Sequence, residues 1–189
     1  MKQFVWLILV AASLAAQTQQ TNTEDHQAMQ GAMAPKSCPF HAQHMNAQAT
    51  SEDQRFAEMN ERGARAMGFD QTKNNHHFRT LDGGGAIEVT VNDPSDAANL
   101  AAIRRHFSKI AREFALGNFT APFMTHAGMP PGAETMQKLK SKISYRYEEL
   151  PQGARVRIST ADSEALHAVH EFFAYQIREH RTGDLDHQQ

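Results

Sequence analysis

The chain has 189 residues, and its 19 Lys and Arg against 21 Asp and Glu leave a formal net charge of -2. That balance excludes a nucleic-acid footprint, which needs a basic face. One cysteine, Cys38, excludes an internal disulfide framework of the kind exported proteins use.

The first elements in chain order concern export. Lys2 supplies a positive start, Phe4 to Val10 is almost unbroken apolar, and Ser13-Leu14-Ala15 fits a small-residue cleavage site. Residues 1–16 are therefore expected to be a signal peptide, its apolar run too short to span a bilayer. The mature protein is expected in the periplasm or secreted, with no transmembrane segment and about 170 residues, enough for one domain and a tail. Residues 17–50 are rich in Gln, Ala, Thr, Met and His and lack large aliphatic side chains. Such a segment cannot offset its ordering entropy, so it is expected to stay disordered.

The folded region, 51–184, opens where Ser51 and Gln54 make a capping box ahead of Phe56, Met59 and Met67 at helical spacing. Gly68 ends that helix. His76 to Val91 alternates in the strand period around Asp82 to Gly85, which predicts a hairpin. Asp93 is expected to cap the next helix, whose stripe is Leu100, Ile103, Phe107, Ile110 and Phe114, ending at Gly117. Residues 118–132, with Pro122, Pro130 and Pro131, read as a loop.

The chain then repeats its pattern. Met67, Lys73, Leu81, Gly84 and Asp93 meet Met136, Lys142, Leu150, Gly153 and Asp162, each 69 positions on (162 − 93). In the following helix Leu100, Phe107 and Gly117 meet Leu166, Phe173 and Gly183 at an offset of 66 (183 − 117). The expected fold is α+β: a tandem αββα repeat, copies at about 51–117 and 133–183, forming a four-stranded antiparallel sheet with helices on one face. Residues 185–189 form a C-terminal tail.

Features confined to one copy are candidates for chemistry. His76 and His77 have Tyr145 and Arg146 as their counterparts, and the stretch 68–72 has residues 137–141, which read as continued helix. Phe114 has His180, expected to donate to the last carbonyls of its helix. Neighbouring strand residues face apart, so one ion cannot easily take both His76 and His77. Either joins His126, with His106 or His170 as further partners, in a candidate imidazole site for copper or zinc, with Asp70 as an outer partner. His167 is expected to face solvent. The tail offers a second set, Cys38, His41, His44 and Met45, whose thiolate and thioether suit Cu(I).

Met67 to Lys73 followed by His76-His77-Phe78, together with Asp82 to Val89 and Pro130-Pro131-Gly132, resembles a group of small exported bacterial proteins of uncharacterised activity. The resemblance spans residues 65–184 and implies an extracytoplasmic setting and a compact domain. It brings no reaction and no site residues. The leading expectation is an exported metal-binding protein, with copper as the ion, acting in binding or delivery. One alternative is a small-ligand binder or an enzyme using the 68–73 loop with His76, His77 and His126. The other is an interaction module or homodimer meeting its partner through the open sheet face, which carries His77, Arg79, Glu88 and Thr90.

Overall fold

The computed structural model describes residues 39–185, with side chains from residue 51 onward. The expected signal peptide, most of the tail and Cys38 lie outside the described residues, and of His41, His44 and Met45 only the backbone is described. No helix among the described residues is long and apolar enough to cross a membrane.

Helix α1 spans Pro39–Met67 and so begins well before the expected capping box. Proline at the first helical position loses no bond there, and Ala and Gln are good helix formers, which accounts for the earlier start. Gly68, at φ 78°, ends the helix by donating its N–H to Ala64 O at 2.9 Å. A 3-10 turn, Gln71–Lys73, leads into β1 (Asn74–Leu81) and β2 (Gly84–Val91). The next helix, α2 (Ala97–Ala115), is capped by Asp96, which accepts from Asn99 N. Asp93, the expected cap, holds the preceding turn through Ser95 N and Oγ instead.

The segment expected as a loop contains α3 (Thr120–His126). Asn118 Oδ1 accepts from Thr120 N and Oγ, and Pro122 sits in the first turn, where its missing N–H costs nothing. After α4 (Ala133–Lys138) the chain does not continue as helix. It makes a second 3-10 turn, Lys140–Lys142, 69 positions beyond the first (140 − 71). Then follow β3 (Ile143–Leu150), β4 (Gly153–Thr160) and α5 (Ser163–Glu179), the last capped by Asp162.

The fold is α+β, with one antiparallel sheet in the order β1-β2-β4-β3. Phe78 pairs with Ile87 in one hairpin as Tyr147 pairs with Val156 in the other, and Ile87 pairs with Val156 at the sheet centre. Phe78, Ile87, Val89, Val156 and Ile158 are buried on one face, beneath the long helices. The cover is crossed: α2 lies mainly over β3 and β4, while α5 lies over β1 and β2. Phe107 and Phe114 of α2 and Phe172 and Phe173 of α5 fill the space between. Helix α1 packs on α3, outside this core.

The opposite sheet face is polar and its charges are paired within the chain. Glu88 accepts from Arg155 Nε at 2.8 Å and lies 3.5 Å from Arg79 Nε, while Glu148 takes Arg146 and Arg155.

The two hairpins join through β2 and β4, where Gly153 pairs with Thr90. A Cβ at Gly153 would overlap the carbonyl oxygen of Val89, which is backbone and cannot swing aside. Gly153→Ala should therefore cost at least ~2 kcal/mol in urea denaturation, whereas Gly128→Ala, which meets nothing within 4 Å, should change stability by less than ~0.5 kcal/mol.

Candidate functional site

Four imidazoles arrive at one place from four different elements. Even-numbered residues of β1 face the helices, so His76 points toward them and His77 away. His126 is the last residue of α3, and His180 caps the end of α5, which the crossed cover sets over β1. His106 comes from the flank of α2 and is 8% exposed. Together they line a cavity of about 60 Å³, whose remaining wall includes Met67, Phe78, Thr125 and Gln176. No Asp or Glu lines it.

The His180 ring lies against those of His76 and His126. His76 and His180 have centres 5.7 Å apart with planes 11° from parallel, and His126 meets His180 edge-on at 5.2 Å. Phe69 stacks on His76 at 6.0 Å and meets His106 at 5.6 Å; Phe78 lies 5.4 Å from His180.

Hydrogen bonding fixes where the lone pairs are. His126 Nε2 lies 3.0 Å from Gln176 Oε1, an oxygen that only accepts, so Nε2 carries the proton and Nδ1 the lone pair. That Nδ1 is buried and has no partner within the protein. His76 bonds the backbone of Asn74, while its Nε2 is likewise buried and unpartnered, as is Gln176 Nε2. Buried polar atoms are almost always satisfied, and each orphan costs ~1–3 kcal/mol. Three orphans thus surround one small cavity, which has room for more than one water.

These imidazoles are neutral at pH 7. Burial pushes His76 down to about 4, with the charge of His77 adding to the effect, and burial does the same to His106. It also lowers His126, and holds His180 well below the ordinary range.

The remaining candidates separate. His77 Nδ1 lies 3.0 Å from Asp184 Oδ1, while Asp184 Oδ2 accepts the N–H of Phe78 at 2.9 Å. His77 is thus not a member of the buried cluster. Asp70 is exposed and caps the 3-10 turn through Thr72, while the carboxylate bonded to an imidazole here is Asp184. His170 Nε2 donates to the turn carbonyls of Leu81 and Gly84, which is a structural task. His167 is exposed, as expected. His180 meets the helix carbonyls through its backbone N–H, which donates to Gln176 O at 2.9 Å, and not through its ring, which is packed between His76 and His126. Asp184, Gln176 and the Met67 wall were not singled out as site residues. Gln176 carries a readable signal, since it occupies a buried position on the α5 stripe. Asp184 carries none, because nothing local says that it returns to β1.

Among the described residues, no three His, Cys, Asp or Glu side chains stand ready to hold one ion as they are placed. No known protein family, curated protein or solved structure matches the chain. What the fold and cavity define is an α+β protein with a buried, uncharged imidazole pocket.

Neutral burial has a consequence for stability. His76 and His106 ionise near 4 in the fold and near 6.5 when unfolded, so the unfolded chain binds more protons between those values. Their contribution is intact above pH 6.5 and is lost as pH falls toward 4, by about 2 kcal/mol per imidazole between pH 7 and pH 5. Urea denaturation at the two pH values should show that loss, and His106→Leu should remove one imidazole's share of it.

Proposed function

We propose that the protein is an exported metal-binding protein whose domain site is formed by His76, His126 and His180, and that its ion is Cu(I). The observation that carries this reading is the meeting of unpartnered, neutral imidazole nitrogens on one cavity that contains no carboxylate. Metal ligands must be deprotonated before they bind, and depressed imidazole ionisation meets that condition at neutral pH. Three imidazoles bound to one ion at ~2.0–2.1 Å place their ring centres roughly 5–5.5 Å apart. The 5.2 and 5.7 Å separations are close to that spacing. The planes of His76 and His180 are near parallel, so their in-plane lone pairs do not converge as placed and binding requires the rings to turn.

The choice of ion follows from charge and softness. An apolar cavity without counter-charge burdens a doubly charged ion more than a singly charged one. Met67 adds a thioether to the cavity wall, and thioether with imidazole suits Cu(I) better than zinc. Cys38, His41, His44 and Met45 of the tail form the capture segment in this reading, and the signal peptide, 1–16, sends the chain out of the cytoplasm. The matching hairpin registers support descent of both halves from one αββα unit.

A second reading is favoured by a surface groove of about 370 Å³ beside the first-copy loop, lined by Gln71, Thr72, Asn74, His76 and His77. It would admit a small polar ligand. Self-association through the open sheet face has less support, because Arg79, Glu88, Glu148 and Arg155 already satisfy one another.

Anaerobic competition against a chromophoric Cu(I) chelator tests the leading reading. The full chain carrying Cys38→Ser, His41→Gln and His44→Gln should still bind one Cu(I), and adding His126→Phe and His180→Phe should weaken that binding at least ~10-fold. Unchanged affinity in the last variant would remove the domain site, and metal-free protein from its native compartment would favour the polar-ligand reading.

A further inference from the structure

Resting on the Cu(I) reading, we propose that the 370 Å³ groove is the entrance to the buried cavity and that His77, oriented by Asp184, is the ligand that first takes the ion. His76 and His180 line both the groove and the cavity, so these two rings form the wall between them. His77 lines the groove but not the cavity. An ion held there has two further imidazoles directly ahead of it.

His77 and His76 face opposite sides of the sheet, yet both reach this groove. The reason is position. β1 is an edge strand, so no neighbouring strand closes its outer side, and a space beside it is open to both faces. The C-terminal segment then bounds that space through Arg181 and Thr182, and Asp184 ties the segment to β1 by accepting the Phe78 N–H.

The bond to Asp184 prepares His77 for this role. One carboxylate oxygen is fixed by the Phe78 N–H, and the other receives His77 Nδ1–H. In the neutral ring Nε2 then carries the lone pair, in the orientation that carboxylate–imidazole–metal arrangements use. Its side chain is 37% exposed, against 14% for Asp184, so the carboxylate orients the ring while the ring meets solvent.

A wider groove of about 550 Å³ also reaches the cavity wall, at His126. Its arginines, Arg55, Arg62, Arg178 and Arg181, stand beside Glu52, Glu58 and Glu179, and it offers no imidazole beyond His126 of the cavity itself. The smaller groove, lined mainly by amides, adds His77 outside the cavity.

Stopped-flow uptake of Cu(I) from its acetonitrile complex, by the full chain with the tail substitutions above, tests the path. His77→Gln and Asp184→Asn should each slow uptake ~10-fold while leaving the equilibrium affinity within about twofold, and Arg178→Gln should leave the rate unchanged. A His77→Gln rate equal to the parent's overturns the entrance and leaves the buried site standing. Rate and affinity falling together also overturns it, since His77 would then be a permanent ligand or a support of the fold. Absence of Cu(I) binding by the parent overturns both proposals.

Discussion

The pairing of β2 with β4 is the contact on which the remaining architecture depends. Each hairpin alone would be a marginal two-stranded ribbon with a bare apolar face. Joined at Ile87 and Val156, they make one sheet wide enough to be covered, and the cover is crossed. Because α2 lies over β3 and β4, the space above β1 and β2 falls to α5. The end of α5 is thereby carried over β1, which brings His180 against His76. The close approach that excludes a side chain at Gly153 is part of the same join. The imidazole cavity is thus a consequence of how two hairpins meet, and no single segment contains it.

Burying four imidazoles carries a penalty that packing offsets only in part. Their rings gain aromatic contacts with Phe69 and Phe78, each worth ~0.5–1.5 kcal/mol beyond the area buried. The orphaned nitrogens of His76 and His126 set ~1–3 kcal/mol apiece against that gain. A phenylalanine at either position would supply the ring contacts without the orphan. Stability alone therefore favours another side chain there, and this separates the cluster from His170, whose ring is fully employed on the Leu81 and Gly84 carbonyls.

Much of the fold was legible because its signals are local. Strand alternation, the α2 and α5 stripes and the turns at Gly84 and Gly153 follow from residues near one another in the chain, and the register at offset 69 followed from comparing the halves. Features set by competition between neighbouring caps were read less well. Asp93 and Asp96 both offer a carboxylate, and the one adjacent to the first helical residue prevails. Helix α3 was hidden by Pro122, which breaks a helix interior but not a first turn. Of the site, His76, His126 and the odd position of His180 were visible as types out of place. Their convergence was not, because it depends on the crossed cover. His77 was offered as the alternative to His76, and it lies on the other face of the sheet, bonded to Asp184.

The two hairpins differ in how their ends are closed. At the end of α2, Asn118 turns its side chain forward to accept from Thr120, the first residue of α3. At the end of α5 the position 66 residues on (184 − 118) is Asp184, which turns back to the edge of β1 and binds both a backbone N–H and His77. The counterpart of His180 is Phe114, stacked on Phe119 at 4.5 Å in an apolar setting, and the counterpart of His76 is Tyr145, packed against Phe114 at 5.8 Å. One end of the sheet is therefore closed by hydrocarbon and phenol, the other by imidazole and carboxylate. The imidazole end places His76 and His180 on both the cavity and the groove outside it, and His77 on the groove alone.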